Sequence, residues 1–296
     1  MTASFWIIMT GILASASCGM LGSFLVLRRM SMLGDAISHA VLPGIALAFL
    51  ISNSRHPIPM LLGAAACGLL TAFVTELLHR TGRLQQDASI GVTFTWLFAL
   101  GVILISAFAG QVDLDQECVL YGEIAYVPWD IWIVAGNSWG PRAVWILGSI
   151  FLFDLLFIFF CYKELKVTTF DPLLAHSLGI STRFFHYMLM TAVSLTTVAA
   201  FESIGAILVV AMLIAPAATA YLLTDRLSSM LVIAAAVGAL SSLFGYLLAH
   251  ALDASIAGAM AAVAGFLFLL AFLGSPRYGV LTSYVARRFT RKFRLS

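Results

Sequence analysis

The chain has 296 residues, 61% of them hydrophobic and only 10% charged, with a formal net charge of +2. A mean hydropathy of +1.02 excludes an ordinary soluble domain and makes the bilayer the solvent for most of the chain. Basic residues sit mostly at the edges of apolar runs, which argues against a nucleic-acid-binding surface.

Apolar runs of the length that spans a bilayer, about 17–25 residues, fall near 5–27, 33–51, 59–78, 88–109, 142–162, 185–201, 203–223, 229–249 and 254–273. They predict an all-α fold, a polytopic transmembrane helix bundle of eight or nine spans forming one domain over 1–296. The pair around Glu202 reads either as two spans or as one span and a re-entrant piece. At the N-terminus, the small residues before Cys18 have the look of a signal-cleavage site. The run lacks a basic leader and continues to Leu27, so it reads as a first span.

After Arg28-Arg29 comes the most informative stretch, Ser31-Met32-Leu33-Gly34-Asp35-Ala36-Ile37-Ser38-His39-Ala40-Val41-Leu42-Pro43-Gly44. An Asp near the centre of a membrane helix costs roughly 2.5–3.5 kcal/mol on insertion scales, and intramembrane ionisable groups mark functional sites by default. Asp35 and His39 are four apart and share one helix face. Their spacing suits a divalent metal ion; the plainer reading is a pair that satisfies itself or caps a frayed helix start.

Orientation follows from Lys and Arg. One side collects every basic residue except Arg55 and Arg142, and that side is read as cytoplasmic. The N-terminus is then outside, and the C-terminus inside, with a basic cytoplasmic tail over 275–296. The loop 110–141 faces outward with Asp113, Asp115, Glu117, Glu123 and Asp130, which no ligand role is assigned. Cys18, Cys67 and Cys161 lie in apolar runs and Cys118 lies in this loop without a partner, so no structural disulfide is expected.

The cytoplasmic segment 163–186 carries an N-cap at Asp171, a proline at the first helical position (Pro172) and a natural stop at Gly179. They enclose one short helix whose Leu173, Leu174 and Leu178 ask either for a partner surface or for the face of their own bundle. From Phe184 to Leu223 the chain is apolar apart from His186, Glu202 and hydroxyl residues, with breaks expected at Ser203, Gly205 and Pro216. Broken spans are where transporters expose backbone to a pathway. Glu202, at the outer end, is a candidate gate or an interfacial carboxylate in contact with water. Small residues such as Gly63-Ala64-Ala65-Ala66 permit close helix packing.

No G-x-x-x-x-G-K-[ST], H-E-x-x-H or G-x-S-x-G motif occurs. Any ATP-driven work therefore calls for a separate subunit, and the chain does not read as an enzyme.

Taken together, these stretches resemble the permease family of metal-ion ABC transporters. The likeness rests on Met32 to Gly44, Asp87-Ala88-Ser89-Ile90-Gly91, Tyr121-Gly122-Glu123-Ile124, Phe170-Asp171-Pro172 with Ala175 and Leu178-Gly179, Ala206 to Val210 through Pro216-Ala217-Ala218, and Ser275-Pro276-Arg277. It implies an importer of Mn²⁺, Zn²⁺ or Fe²⁺ in a bacterial cytoplasmic (inner) membrane, with the ion as cargo and no permanently bound cofactor. The implied partners are a second permease chain (identical or a sister), a cytoplasmic ABC ATPase, an extracytoplasmic metal-binding protein and membrane lipid, with no nucleic acid. Asp35 and His39 would be the metal ligands. Phe170, Asp171, Pro172, Leu173, Leu174, Ala175, Leu178 and Gly179 would form the ATPase-coupling helix, where Leu173-Leu174 departs from the family's usual polar residue. A more distant likeness joins 170–186 and 203–217 to siderophore and cobalamin permeases. The competing readings are a permease for a metal chelate and a secondary metal transporter or channel that works alone.

Overall fold

The computed structural model describes residues 3–52, 57–82, 84–108, 124–134 and 137–275. Asp113, Asp115, Glu117, Cys118, Glu123, Arg55 and the tail beyond Ser275 lie outside them. Among the described residues nine helices are long and apolar enough to cross a membrane, which resolves the expected eight or nine. They are α1 (Ala3–Leu27), the pair α2 (Leu33–Ala40) and α3 (Leu42–Ser52), α4 (Pro57–Gly82), α5 (Gln86–Phe108), α6 (Arg142–Phe160), α9 (Thr182–Ile204), α10 (Ala206–Leu223), α11 (Leu227–Leu252) and α12 (Ile256–Gly274). Two shorter helices, α7 (Tyr162–Phe170) and α8 (Pro172–Ser177), lie between α6 and α9.

The most buried span is α1, which packs on α6, α9, α10 and α11. Its Leu21, Phe24 and Leu25 form the core with Leu189, Met190 and Val193 of α9 and Leu208 and Val209 of α10. The helix ends where Arg29 turns left-handed (φ 59) and Met30 N–H donates to the Leu25 carbonyl at 2.9 Å, closing the end as a Schellman-type stop does. Asp253 (φ 48) ends α11 in the same way, with Ala254 N–H donating to Ala249 O.

Three local features depart from the sequence reading. The described part of loop 110–141 is ordered. Its 3-10 helix Ile124–Trp129 buries Ile124 and Val127, and β1 (Ile131–Val134) pairs antiparallel with β2 (Asn137–Pro141). Ahead of the expected short helix Pro172–Ser177 lies a second one, α7, set off because the chain turns at Cys161 and is extended at Asp171 (φ −142) ahead of Pro172, as the residue before a proline must be. Pro216 does not break its span. It sits inside α10, and the one break in 184–223 is at Gly205 (φ 82) between α9 and α10. Spanning helices tolerate an internal proline where neighbouring helices shield the freed carbonyl.

Exposed Trp129, Trp132, Trp139 and Trp145 gather at the hairpin end, where Trp145 Nε1 donates to the Trp139 carbonyl at 2.9 Å. Such amphipathic rings belong at a membrane–water interface.

Candidate metal pathway and ATPase contact

Asp35 and His39 lie one turn apart on α2, with Asp35 Oδ1 3.8 Å from His39 Nε2. That is too long for a hydrogen bond, so the pair does not satisfy itself. An ion bonded to both at about 2.0–2.2 Å in tetrahedral geometry sets the two ligand atoms roughly 3.4 Å apart, within reach of a small side-chain rotation. The His39 ring sits 5.9 Å, centroid to centroid, from both Phe94 and Phe98 of α5, which restricts its swing. Ala36, Ile37 and Ala40 on the other faces of α2 are buried against α4, α5, α9 and α10. The two polar side chains remain 38% and 41% exposed. In a span (Met32–Ser52) that exposure would place a carboxylate against lipid unless another surface covers it. No group of three or more His, Cys, Asp or Glu residues suited to a metal occurs among the described residues, and Asp35 and His39 stand as a pair.

The backbone keeps α2 and α3 in line. Val41 N–H donates to Ile37 O at 3.1 Å and Ile45 N–H to Val41 O at 3.0 Å. Farther along α3, Gly44 faces Gly63 of α4 so closely that a Cβ on either would strike the other's carbonyl.

Glu202 is not brought near this pair. It lies at the far end of α9 from His186, beside a small cavity of about 140 Å³ lined by Tyr126, Asp130, Arg142 and Ser203.

The α8 region matches its sequence signals. Asp171 Oδ1 accepts from Leu174 N–H at 2.9 Å, capping the helix. Gly179 (φ 76) supplies the left-handed stop, where Ile180 N–H donates to Ala175 O at 2.9 Å. Ala175 is buried and holds the element to the bundle. Phe170, Leu173, Leu174 and Leu178 are exposed, Leu173 at 84%, leaving an apolar ridge on a rigidly capped turn.

The sequence reading singles out neither Glu76 nor Asp154, although each is a lone acid in an apolar run, the same signal that marks Asp35. Asp154 of α6 is fully buried, and Thr196 Oγ1 donates to its Oδ2 at 2.8 Å. Glu76 of α4 lies 3.3 Å from His186 Nε2 of α9. His186 Nδ1 is 3.3 Å from Arg28 Nη1. Burial pushes the Arg28 guanidinium down to about 10, and the Glu76 charge opposes that shift, so the side chain stays cationic at neutral pH.

Among the described residues, eight spans accompany the buried α1, with the Asp35–His39 pair on the second span and an exposed capped helix beyond the fifth, the architecture of a polytopic membrane protein. Residues 2–275 match the family described as ABC 3 transport family, and the chain belongs to that family. It is 54% identical over 282 residues, covering 95% of each chain, to the manganese transport system membrane protein MntD of Bacillus subtilis (strain 168). It is 44% identical to the zinc transport system membrane protein TroD of Treponema pallidum (strain Nichols), over 95% of this chain and 77% of that one. Among solved structures it is similar to PsaBC from Streptococcus pneumoniae in complex with Fab, with a TM-score of 0.76, 33% identity and 94% of both chains covered. The chain is thus a permease subunit of an ABC transporter and not an enzyme, and hydrolysis of ATP falls to a separate subunit.

Proposed function

We propose that this permease imports a divalent transition-metal ion, Mn²⁺, Zn²⁺ or Fe²⁺, across a bacterial cytoplasmic membrane, and that the ion passes between Asp35 and His39 at the seam of a permease dimer. The observation that carries the reading is the half-site itself, an acid and an imidazole 3.8 Å apart on one face of a membrane span and open on the side away from the bundle. A second chain, identical or a sister, would cover that side and complete an O2N2 set, adequate for Zn²⁺ and usable by Mn²⁺ or Fe²⁺ with added waters. The names of the manganese and zinc relatives support the class of cargo.

The N-terminus faces outward and the basic tail inward, following the Lys/Arg asymmetry. The exposed ridge Phe170, Leu173, Leu174 and Leu178 then faces the cytoplasm and docks the ABC ATPase, with Asp171, Pro172, Ala175 and Gly179 holding its shape. The opposite end, with Glu202, Asp130 and Arg142, meets the extracytoplasmic metal-binding protein, and Glu202 gates the approach. ATP-driven rearrangement separates the two half-sites and lowers affinity, a shift set by differential binding to two states.

The test is uptake of Mn²⁺, Zn²⁺ and Fe²⁺ by the reconstituted complex carrying Asp35→Ala or His39→Ala. Both variants should lose uptake while still assembling with the ATPase. Near-normal transport in either would overturn the assignment. Uptake that ignores free ions and responds to a bulky chelate would favour a chelate permease, and uptake without ATP a stand-alone carrier.

A further inference from the structure

Away from Asp35 and His39, a group of partly buried polar side chains lies where α1, α4, α7 and α9 meet. Arg28, just past the end of α1, donates from Nε to Thr169 Oγ1 and from Nη2 to Thr168 Oγ1, each at 3.1 Å. Its Nη1 reaches His186 Nδ1 of α9 at 3.3 Å. A guanidinium has no acceptor, so Nδ1 accepts from Arg28 and the ring proton resides on Nε2. That nitrogen lies 3.3 Å from Glu76 Oε2 of α4, within ion-pair range. One planar fork thus ties the last turn of α7 to α9, and the imidazole passes the contact on to α4.

The position of this group in the chain matters. Thr168 and Thr169 are separated from the capped helix α8 only by Phe170 and the extended Asp171. In the other direction, α4 and α9 both pack on α2 and are pinned to each other by Ser194 Oγ donating to the Ala65 carbonyl at 3.1 Å. Apolar packing is not what joins α7 to α4, because a cleft of about 560 Å³ opens beside the group, lined by Arg28, Glu76, His79, Thr168 and His186 among others. Buried charge-assisted hydrogen bonds are short-ranged and geometrically strict, which suits elements that must move together.

We infer that Arg28, held by Thr168, Thr169 and His186, is the positioning residue that transmits movement of α8, through α4 and α9, to the helix carrying Asp35 and His39. The inference rests on the reading above that α8 docks the ATPase. Two states of the ATPase bias one mechanical element, and the fork of Arg28 keeps that element from slipping against α4 and α9.

The test uses the full complex in proteoliposomes with its binding protein loaded with Mn²⁺. Two double variants are compared, Thr168→Val with Thr169→Val, and Thr168→Ser with Thr169→Ser. The valine pair keeps the packing and removes the acceptors of Arg28, whereas the serine pair keeps the hydroxyls and removes the methyls. With the valine pair, stimulation of ATP hydrolysis by the loaded binding protein and Mn²⁺ moved per ATP should both fall at least about tenfold, the effect of one charge-assisted hydrogen bond where two are removed. Basal hydrolysis should stay near the parent, and the serine pair should remain coupled. Full coupling in the valine pair, or equal loss in the serine pair, overturns the inference. Asp35→Ala in the same vesicles keeps the two readings apart. It should stop Mn²⁺ movement yet leave the stimulation of hydrolysis, and Mn²⁺ uptake surviving there would defeat the pathway while the relay readout still stands.

Discussion

Replacing Gly44 by alanine should disable transport from a position that touches no ligand. The added Cβ would lie 2.7 Å from Cys67 Cβ and press into the Gly63 carbonyl oxygen. Carbon–carbon contacts are comfortable at about 3.5–4.0 Å, so α3 must retreat from α4 by about 1 Å. A backbone carbonyl cannot rotate out of the way as a side chain can. Retreat toward α5 is also blocked, since Gly101 already holds Pro43 so close that a Cβ there would sit 2.8 Å from the Pro43 nitrogen. The displacement therefore runs along the continuous α2–α3 backbone to His39, about 7.5 Å away at 1.5 Å per residue. Metal ligands tolerate errors of only about 0.2 Å, and a misplacement of about 1 Å costs on the order of 10²-fold where geometry is strict. Stability should fall by about 1–3 kcal/mol from overpacking. Initial rates of Mn²⁺ uptake, read beside thermal unfolding of the purified complex, measure both effects. Gly91→Ala on α5 is the control, since its Cβ meets nothing within 4 Å and it should be neutral or slightly stabilising. Gly44→Ala transporting at the parent rate, with the control behaving as expected, would refute the reasoning.

Leu173→Asp should leave permease stability within about 0.5 kcal/mol, as exposed substitutions do, while sharply reducing co-purification of the ATPase. Undiminished recovery of the ATPase would remove α8 from the interface. Asp171→Ala should cost about 1 kcal/mol through loss of the cap on Leu174 N–H, and partial loss of coupling should accompany it in the ATPase assay. Thr196→Val strips Asp154 of its hydrogen bond and should destabilise by about 1–3 kcal/mol, whereas Asp154→Asn keeps an acceptor for Thr196 and removes an ionisable group from the bilayer, so it should melt at or above the parent. The reverse order in detergent melts would contradict that account of the buried acid. Lowering the pH from neutral should slow uptake because protons compete with the metal for the His39 ring and the Asp35 carboxylate. The sign is a loss toward acid that excess Mn²⁺ restores, and inhibition that no metal concentration relieves would point elsewhere.

Eight or nine spans, the caps of α8 and the shared face of Asp35 and His39 were all legible in the sequence because each depends on neighbours within one or two turns. Apolar length reports what lipid demands, Asp171 reaches Leu174 three residues on, and a spacing of four fixes a helix face whatever packs against it. Tertiary structure alone decided how these pieces meet. Arg28 finds Thr168, Thr169 and His186 more than a hundred residues away, and Asp154 finds Thr196 across 42 residues. Pro216 remains inside a continuous helix, where neighbouring spans bury it. Hydrophobicity places all of these residues in the membrane with little regard to which helix lies beside which. Small-residue contacts such as Gly44 on Gly63, and a few buried polar bonds, select one arrangement among many of similar apolar burial, and that selection determines what the half-site on α2 faces.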